Sequence, residues 1–418
     1  MANLGFREKD FNERLFLHIL QNVSKSARYI EHEKTEFSGS GLITTLTSEV
    51  AEKESERVVG FRSFLLQYCD DLDGTKHSIN LVFKIIRSGN EMGRILYDAF
   101  VEKTGGINDQ NVRRMLHIRM DNSERKEIAC YRAQDSAWKA ILPETFMTQI
   151  DSSKGVYLIA MEDLCTDAFT HYNDTDPENW SEQERRIVLE EMARFHALHY
   201  GKTEMIPKEL KDLIDKSMEM YDKATEKAVR KVYMDMFERS YLKNEPMKQY
   251  MLALLHKTDA KIDHIRSIIQ RSPMTLVHTD FNLPNICFRK EPNSNQSKLC
   301  VYDWGDVQLM PPQYDAACFI LNFISDDNPA KSAFDLLEIY RVTLLRSLEE
   351  DGSPVELIQS VEDIEQFHAV FDMCLINMFW QKIGASICNS TTSALFQHLA
   401  RNGMNYISAV LGKYEFLE

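Results

Sequence analysis

The chain has 418 residues, of which 44% are apolar and 27% are charged, and its formal net charge is −15. These values are typical of a folded soluble protein with one large domain or two lobes. The acidic balance argues against non-specific nucleic-acid binding, which needs a basic surface. The sequence has no apolar run long enough to span a bilayer, so no membrane partner is expected.

Eight cysteines are scattered through apolar segments, and none forms a Cys-x-x-Cys pair. We therefore expect reduced, mostly buried thiols rather than disulfides or a zinc site. The first residues, MANLGFREKDFNERLF, contain no apolar signal core, and Ala2 stands where myristoylation needs glycine. These features together predict a cytoplasmic protein.

The first third of the chain shows mixed helix and strand patterns. Residues 9–30 carry apolar side chains at helical spacing and predict a helix. Residues 58–68 and 77–86 read as strands, and the Asp/Gly-rich connection between them predicts a β-hairpin. Residues 89–123 are polar and contain a Gly-Gly pair, which fits either an inserted helical pair or a mobile flap. Residues 123–138 then predict a helix.

The remainder of the chain changes to helical patterns after a short apolar strand at residues 155–161. A capping box at 181–184 predicts the start of a helix. After residue 314 the pattern is helical to the end. We therefore predict an α+β fold with two lobes and a cleft between them, a β-rich first lobe over residues 1–164 and a helical second lobe over residues 165–418.

Two carboxylates and one amide follow short apolar strands in the second half of the chain. In the segment L276-V-H-T-D-F-N-L-P-N285, Asp280 is followed five residues later by Asn285, and Asp303 ends the later strand L299-C-V-Y302. This spacing lets one short loop present a carboxylate to an acceptor hydroxyl and an amide oxygen to a metal. Mg²⁺ prefers such hard oxygen ligands together with phosphate oxygens. We expect a hairpin with its turn at residues 291–297 to hold both aspartates on the same side.

These segments resemble a known group of enzymes. H278-T-D-F-N-L-P-N285 with Y302-D-W304 is similar to the catalytic and metal-binding segments of the aminoglycoside phosphotransferase and choline kinase-like family, which has the protein-kinase-like fold. Further similar pieces are E162-D-L164, A193-R-F-H-A197 and Y314-D-A-A317. The pieces E127-x-x-x-Y131 and L142-P143 look most like the ecdysteroid kinase-like, or CHK kinase-like, subgroup. The resemblance spans residues 35–325 and is most specific beyond residue 270.

The resemblance implies a two-lobed kinase-like fold that uses ATP and Mg²⁺. It implies that Asp280 is the catalytic base and that Asn285 and Asp303 are the Mg²⁺ ligands. Lys84 matches the strand lysine that contacts the α- and β-phosphates, and Glu127 matches its ion-pair partner. The loops that carry the catalytic and metal-binding residues would lie at residues 276–306 of the helical lobe.

The resemblance also implies two nucleotide contacts made by short segments. The turn expected to cover the phosphates is Ser38, Gly39, Ser40 and Gly41, and the backbone expected to bind adenine is Met161, Glu162, Asp163 and Leu164. Asp315 matches a family aspartate with a structural role. The chain departs from the family pattern at Thr279, where glycine is commonest, and in the phosphate turn, which is shorter than a full G-x-G-x-x-G loop.

The leading hypothesis is a kinase that phosphorylates a hydroxyl of a small molecule. The acceptor stays open among steroid-like or other apolar alcohols, aminoglycosides and choline-like amines. A protein kinase is the alternative, but the few residues between Asp303 and Asp315 leave no room for a peptide-docking segment. A nucleotide-binding pseudokinase is a second alternative. His196 and His199 are expected to be structural residues rather than metal ligands, and His278 is expected to be structural rather than a proton carrier.

Overall fold

The computed structural model describes residues 5–35, 57–70, 74–133, 136–170, 177–219, 223–240, 245–290, 297–324, 327–388, 394–410 and 413. Its strands are β1 (Ala27–Thr35), β2 (Gly60–Asp70), β3 (Lys76–Ile86), β4 (Thr145–Asp151), β5 (Val156–Glu162), β6 (Phe169–Thr170), β7 (Thr275–Val277), β8 (Ile286–Lys290), β9 (Ser297–Val301) and β10 (Gln308–Met310). Its helices are α1 (Glu13–Val23), α2 (Gly89–Lys103), α3 (Gln110–Met120), α4 (Ser123–Tyr131), α5 (Ser136–Ile141), α6 (Glu182–Ala197), α7 (Lys208–Glu219), α8 (Lys223–Ser240), α9 (Glu245–Ala260), α10 (Ile262–Arg271), α11 (Gln313–Ile320), α12 (Pro329–Glu350), α13 (Val355–Glu362), α14 (Ile364–Cys388) and α15 (Ala394–Val410).

The contacts divide the chain into two compact units. The first contains the described parts of residues 1–96, 119–171 and 286–305, and the second contains those of 97–118, 172–285 and 306–418. The strands of the first unit and the helices of the second confirm the predicted α+β class, with a smaller β-rich part and a larger helical part. The lobe boundary at residue 164 stays a prediction.

The first unit is built on a five-stranded antiparallel sheet with the order β1-β2-β3-β5-β4. Strands β2 and β3 pair from Gly60–Ile85 to Cys69–Lys76, so the predicted hairpin is confirmed. On β3, alternate side chains enter the apolar core that also contains Phe16 of α1. These alternate residues are Leu81, Phe83 and Ile85. Because successive side chains of a strand point to opposite faces, Lys84 lies on the face away from this core.

The predicted helix over residues 9–30 is too long. Helix α1 begins after Asn12, whose side chain accepts a hydrogen bond from the N–H of Leu15, and it ends at Val23. Residues 27–35 form the edge strand β1 instead. Most of β1 is exposed, because among the described strands it pairs only with β2 and lies at the edge of the sheet. Its sequence therefore lacks the apolar alternation that marks a half-buried strand.

Of the two structures predicted for residues 89–123, the inserted helical pair is the one observed. Its helices α2 and α3 are separated by Gly105 and Gly106, which have φ angles of 69° and 99°. Such positive φ angles suit glycine and end a helix readily. The predicted helix at 123–138 is divided between α4 and α5. Strand β4 was not predicted from the sequence.

The second unit contains α6 to α15 together with the short pair β7–β10. Its first long helix begins as predicted, because Ser181 Oγ accepts from the N–H of Glu184 and the Glu184 carboxylate accepts from the N–H of Ser181. Among the helices of the described ranges, none has both the length and the apolar character needed to cross a membrane.

The hairpin expected to hold both aspartates is paired differently. Strand β7, which precedes Asp280, pairs with β10 through Val277–Gln308, whereas β8 pairs with β9. Most of the turn expected at residues 291–297 lies outside the described residues. Only Asp303 therefore follows a hairpin strand directly. The expectation was wrong because β7 is three residues long and its partner lies beyond Asp303, a non-local pairing that alternation within one segment does not reveal.

Candidate active-site residues

In the first unit, Lys84 lies between two carboxylates. Its Nζ is 2.6 Å from Glu127 Oε1 and 2.6 Å from Asp303 Oδ1. We call these three residues the lysine cluster. The structure thus brings together three residues that the sequence analysis assigned to nucleotide and metal binding, although 219 positions separate Lys84 from Asp303.

The three side chains of the lysine cluster differ in how much of their surface is exposed to solvent. The side chain of Glu127 is 3% exposed and that of Lys84 is 14% exposed, whereas that of Asp303 is 50% exposed. Burial by itself lowers the pKa of Lys84, but the Coulombic attraction of Asp303 and Glu127 outweighs it and raises this pKa. Lys84 is therefore positively charged at neutral pH. Asp303 is the member that a solvent-borne cation or phosphate can reach.

Local structure next to the cluster positions Asp303. Trp304 is fully buried, donates its Nε1–H to the carbonyl of Val301 at 3.0 Å and packs edge-on against Trp138, with ring centroids 5.0 Å apart. Asp303, which precedes it, has a φ angle of 67° and so turns the chain out of β9. No sequence signal pointed to the contact between the two tryptophans.

The predicted adenine-binding segment lies at the end of β5. Met161 is paired with Val82 and Thr145, and its neighbour Glu162 forms an ion pair with Arg289. The backbone of Met161 and the side chain of Glu162 thus contact other parts of the first unit. The role of its backbone in adenine binding stays a prediction.

The two residues that follow Glu162 connect the segment to the rest of the unit. Asp163 accepts hydrogen bonds from Ser63 Oγ at 3.0 Å and from the N–H of Cys165 at 2.9 Å. Leu164 packs in a small apolar cluster with Phe169, Cys287 and Cys300. The predicted phosphate turn, residues 38–41, lies outside the residues that the structure describes.

In the second unit, two asparagine side chains of the Asp280 loop donate hydrogen bonds to Asp280. Asn282 Nδ2 donates to Asp280 Oδ1 at 2.5 Å, and Asn285 Nδ2 donates to Asp280 Oδ2 at 3.1 Å and to the Asp280 carbonyl at 2.9 Å. Asn285 is buried, and Asp280 is partly exposed. With Nδ2 engaged in this way, Oδ1 is the atom that Asn285 could offer to a cation.

The backbone just before Asp280 is anchored by Asp315, which is fully buried. Its Oδ2 accepts from the N–H of His278 at 2.7 Å, and its Oδ1 accepts from the N–H of Thr279 at 2.8 Å. Charge-assisted hydrogen bonds to two successive amides fix the path of a loop strongly. This geometry agrees with the structural role that the family resemblance implies for Asp315.

Asp315 is in turn supported by a buried histidine and a buried tyrosine. His196 Nε2 lies 3.2 Å from Asp315 Oδ2, and His196 Nδ1 lies 2.5 Å from the hydroxyl of Tyr340. Burial raises the pKa of this hydroxyl well above its usual range. The sequence analysis expected a structural His196, but it contained no signal for Tyr340, which lies 144 residues further along the chain.

The two predicted metal ligands, Asp303 in the first unit and Asn285 in the second, carry the type of oxygen donor that Mg²⁺ prefers. Asp303 and Asn285 offer a carboxylate and an amide oxygen, both hard ligands. Across the described ranges there is no group of three or more His, Cys, Asp or Glu side chains arranged to hold a metal ion. Mg²⁺ needs no such group, since it is commonly held by one or two carboxylates together with substrate phosphates and keeps several waters.

A cavity of about 520 Å³ lies on helices α8 and α9 of the second unit. Its walls combine apolar side chains, such as Leu252, with charged ones, such as Lys231 and Asp235. None of the residues predicted from the sequence lines it. This cavity is therefore separate from the candidate residues described above.

Comparisons with known proteins were made for the sequence and for the structure. A model of the ecdysteroid kinase-like family matches residues 110–352. Similar solved structures include an ethanolamine kinase from Plasmodium vivax, 11% identical with a TM-score of 0.44, covering 96% of this chain and 89% of that chain. The choline kinase LicA from Streptococcus pneumoniae is 10% identical with a TM-score of 0.39, covering 95% and 99% of the two chains. A comparison with curated proteins finds no match.

Proposed function

Because the chain belongs to the ecdysteroid kinase-like family, we propose that it is an ATP- and Mg²⁺-dependent kinase that phosphorylates a hydroxyl group of a small molecule. The observation that carries the proposal is the lysine cluster, in which a charged lysine lies between a buried and a half-exposed carboxylate. Phosphoryl transfer depends mainly on such pre-placed charges, because the protein does little covalent chemistry in this reaction.

Each candidate residue has a role in the proposed reaction. Lys84 binds oxygens of the α- and β-phosphates, and Glu127 holds the lysine in position. Asp280 orients the acceptor hydroxyl and takes its proton as the hydroxyl oxygen bonds to the γ-phosphorus and the bond to the β-phosphate oxygen breaks. Asp303 and Asn285 would hold the metal. Bound Mg²⁺ supplies positive charge that offsets the negative charge of the phosphates.

The proposed acceptor is an apolar, steroid-like alcohol, in keeping with the description of the matching family. Aminoglycosides and choline-like amines are the alternatives, and a panel containing all three classes would separate them. The proposal includes no nucleic-acid partner and no membrane partner. A protein substrate is disfavoured because α11 begins at Gln313, ten residues after Asp303, which leaves no long peptide-docking segment between them.

The first experiment measures the thermal unfolding midpoint with ATP, in the presence and absence of Mg²⁺. A ligand that binds only the folded state stabilises it by about 2.7 kcal/mol at 100 times its dissociation constant. We expect a Mg²⁺-dependent rise for the wild type and a much smaller one for Asp303→Ala. Asp351→Asn is the matched control, because Asp351 is an exposed aspartate of the second unit that forms an ion pair with Lys202. A wild type that shows no rise would contradict nucleotide binding.

The second experiment measures phosphoryl transfer, first as slow hydrolysis of Mg-ATP and then with acceptors. Asp280→Ala is expected to lower turnover about 100-fold or more while the thermal response to Mg-ATP persists, since loss of a catalytic base typically costs a factor of 10² to 10⁴. Undiminished turnover in this variant would remove Asp280 from the mechanism. Binding without any turnover in the wild type would instead support the pseudokinase alternative.

A further inference from the structure

Thr279 has a backbone conformation that a β-branched residue rarely adopts. Its φ angle is 65°, in the left-handed region that favours glycine. Within the described ranges, the other non-glycine residues with positive φ are Asn122 and Asp303. Thr279 immediately precedes Asp280. Strain of this kind persists only where surrounding contacts hold the residue in place.

Three contacts hold Thr279. Its N–H donates to Asp315 Oδ1 at 2.8 Å, its hydroxyl Oγ1 donates to the carbonyl of Asp306 at 2.8 Å, and its own carbonyl accepts from Cys318 Sγ at 3.5 Å. The contacts to Asp315 and Cys318 involve only the backbone of Thr279. Glycine could make both of them without strain, so they do not account for the threonine.

The hydroxyl contact is the one that requires the side chain. Asp306 lies three residues after Asp303 in the chain, and Thr279 lies one residue before Asp280. The hydrogen bond between Thr279 and Asp306 therefore joins two chain segments, the loop that carries Asp280 and the segment that follows Asp303. We call this hydrogen bond the Thr279 tether.

We propose that Thr279 is a positioning residue for phosphoryl transfer, and that its hydroxyl fixes the Asp280 loop against the segment that follows Asp303. This inference rests on the proposed kinase function. It goes beyond the roles carried over from the family resemblance, which implies glycine at this position and hence no side-chain tether. The tether acts on the placement of Asp280, so its loss should affect turnover rather than nucleotide affinity.

Three substitutions at residue 279 distinguish the effect of the hydroxyl from the effect of the backbone strain. T279S keeps the hydroxyl, T279V keeps the branched shape without the hydroxyl, and T279G removes both the hydroxyl and the strain. T343V is the control, because the Thr343 hydroxyl donates only to a carbonyl within its own helix, that of Ile339 at 2.9 Å. The measurements are kcat and KM for Mg-ATP hydrolysis, and the thermal unfolding midpoint of each variant.

We expect T279V and T279G to lower kcat about 10-fold or more with little change in KM, since small misplacements of a catalytic group can cost up to a factor of 100. T279S should retain most of the turnover, and T343V all of it. T279G should unfold at a higher midpoint than T279V, because glycine relieves the strain. Low turnover in T279G despite its greater stability would separate positioning from folding.

Turnover of T279G at the wild-type rate would overturn the proposal, since the tether would then be unnecessary. A wild type without any Mg-ATP turnover would instead overturn the proposed function. In that case amide hydrogen exchange of residues 278–285 would be compared between wild type and T279V. Faster exchange in T279V would support the tether as a constraint on the loop, and unchanged exchange would overturn it as well.

Discussion

Lys84 is stabilised in its charged form by the two carboxylates beside it. Its pKa in the folded protein is raised, so folding favours the protonated amine. The resulting stability is fully present below the pKa of an unfolded lysine, about 10.4, and is lost as the pH rises through the higher pKa of the folded state. Lys84 therefore keeps its positive charge throughout the neutral range.

Replacing Lys84 by methionine is expected to destabilise the first unit. Glu127, which is buried, would then lose its ion pair with Lys84, and removing one member of a buried pair typically costs about 3–5 kcal/mol. The free energy of unfolding, measured by urea denaturation at pH 7, should fall by an amount of this order. Adding Glu127→Gln to Lys84→Met should recover part of the loss, because the buried charge is then removed.

Lys34 provides the matched control for this prediction. It forms an ion pair with Glu8 at 3.1 Å, but both side chains are more than half exposed. Exposed pairs contribute about 1 kcal/mol or less, so Lys34→Met should have a small effect. Equal losses for Lys34→Met and Lys84→Met would show that burial of Glu127 has no energetic consequence.

The start of helix α2 lies close to the end of α3 and is hydrogen-bonded to α4. The N–H of Gly89 donates to Glu124 Oε2 at 2.8 Å, and a Cβ at residue 89 would lie 1.8 Å from the carbonyl oxygen of Met120. Burial raises the pKa of Glu124. Because α4 carries Glu127, this junction sets the position of one side of the lysine cluster.

Gly89→Ala is expected to lower the free energy of unfolding by about 1–3 kcal/mol, as overpacking of a tight site usually does. Gly305→Ala is the matched control, because a Cβ there would lie 3.6 Å from its nearest neighbour, the carbonyl oxygen of Ser123, which is an ordinary contact. Urea denaturation of the two variants gives the comparison. A tolerated Gly89→Ala would mean that the start of α2 can move away from Met120 without cost.

Elements with strong local signals could be predicted from the sequence, and elements defined by distant partners could not. The β2–β3 hairpin has alternating apolar strands around an Asp/Gly turn, and α6 has a capping box, so both were predictable. The edge strand β1 lacks the alternation of apolar and polar residues, and residues 27–30 of it were included in the predicted helix. The pairing of β7 with β10 depends on residues about 30 positions apart, and no pattern within either strand specifies it.

The candidate site shows the same difference between residues with local sequence signals and contacts between distant parts of the chain. The residue types and spacing of the Asp280 loop are local, so Asp280 and Asn285 could be selected from the sequence. The contact of Lys84 with Glu127 was implied only by the family resemblance, and its contact with Asp303 was not predicted, because the three residues belong to separate parts of the chain. The support of Asp315 by Tyr340 and the Thr279 tether had no sequence signal, since each depends on geometry that only the folded chain creates.

The net charge is the property of the whole molecule that makes the clearest prediction about partners. With 64 acidic and 49 basic residues, the chain repels polyanions. We expect no binding of a 20-base-pair DNA duplex in fluorescence anisotropy at about 10 μM protein and about 50 mM salt, where non-specific binders with micromolar affinity would be detected. A basic DNA-binding protein of similar mass is the positive control.

Binding that weakens steeply with added salt would contradict this prediction, because such a slope reports phosphates neutralised by lysine and arginine. It would then point to a local basic surface that the net charge conceals. Under the proposed function, Mg-ATP provides the contrast, because its phosphates would be partly neutralised by the metal and would contact the charged amine of Lys84. An acidic protein can thus exclude long polyanions and still bind a short one.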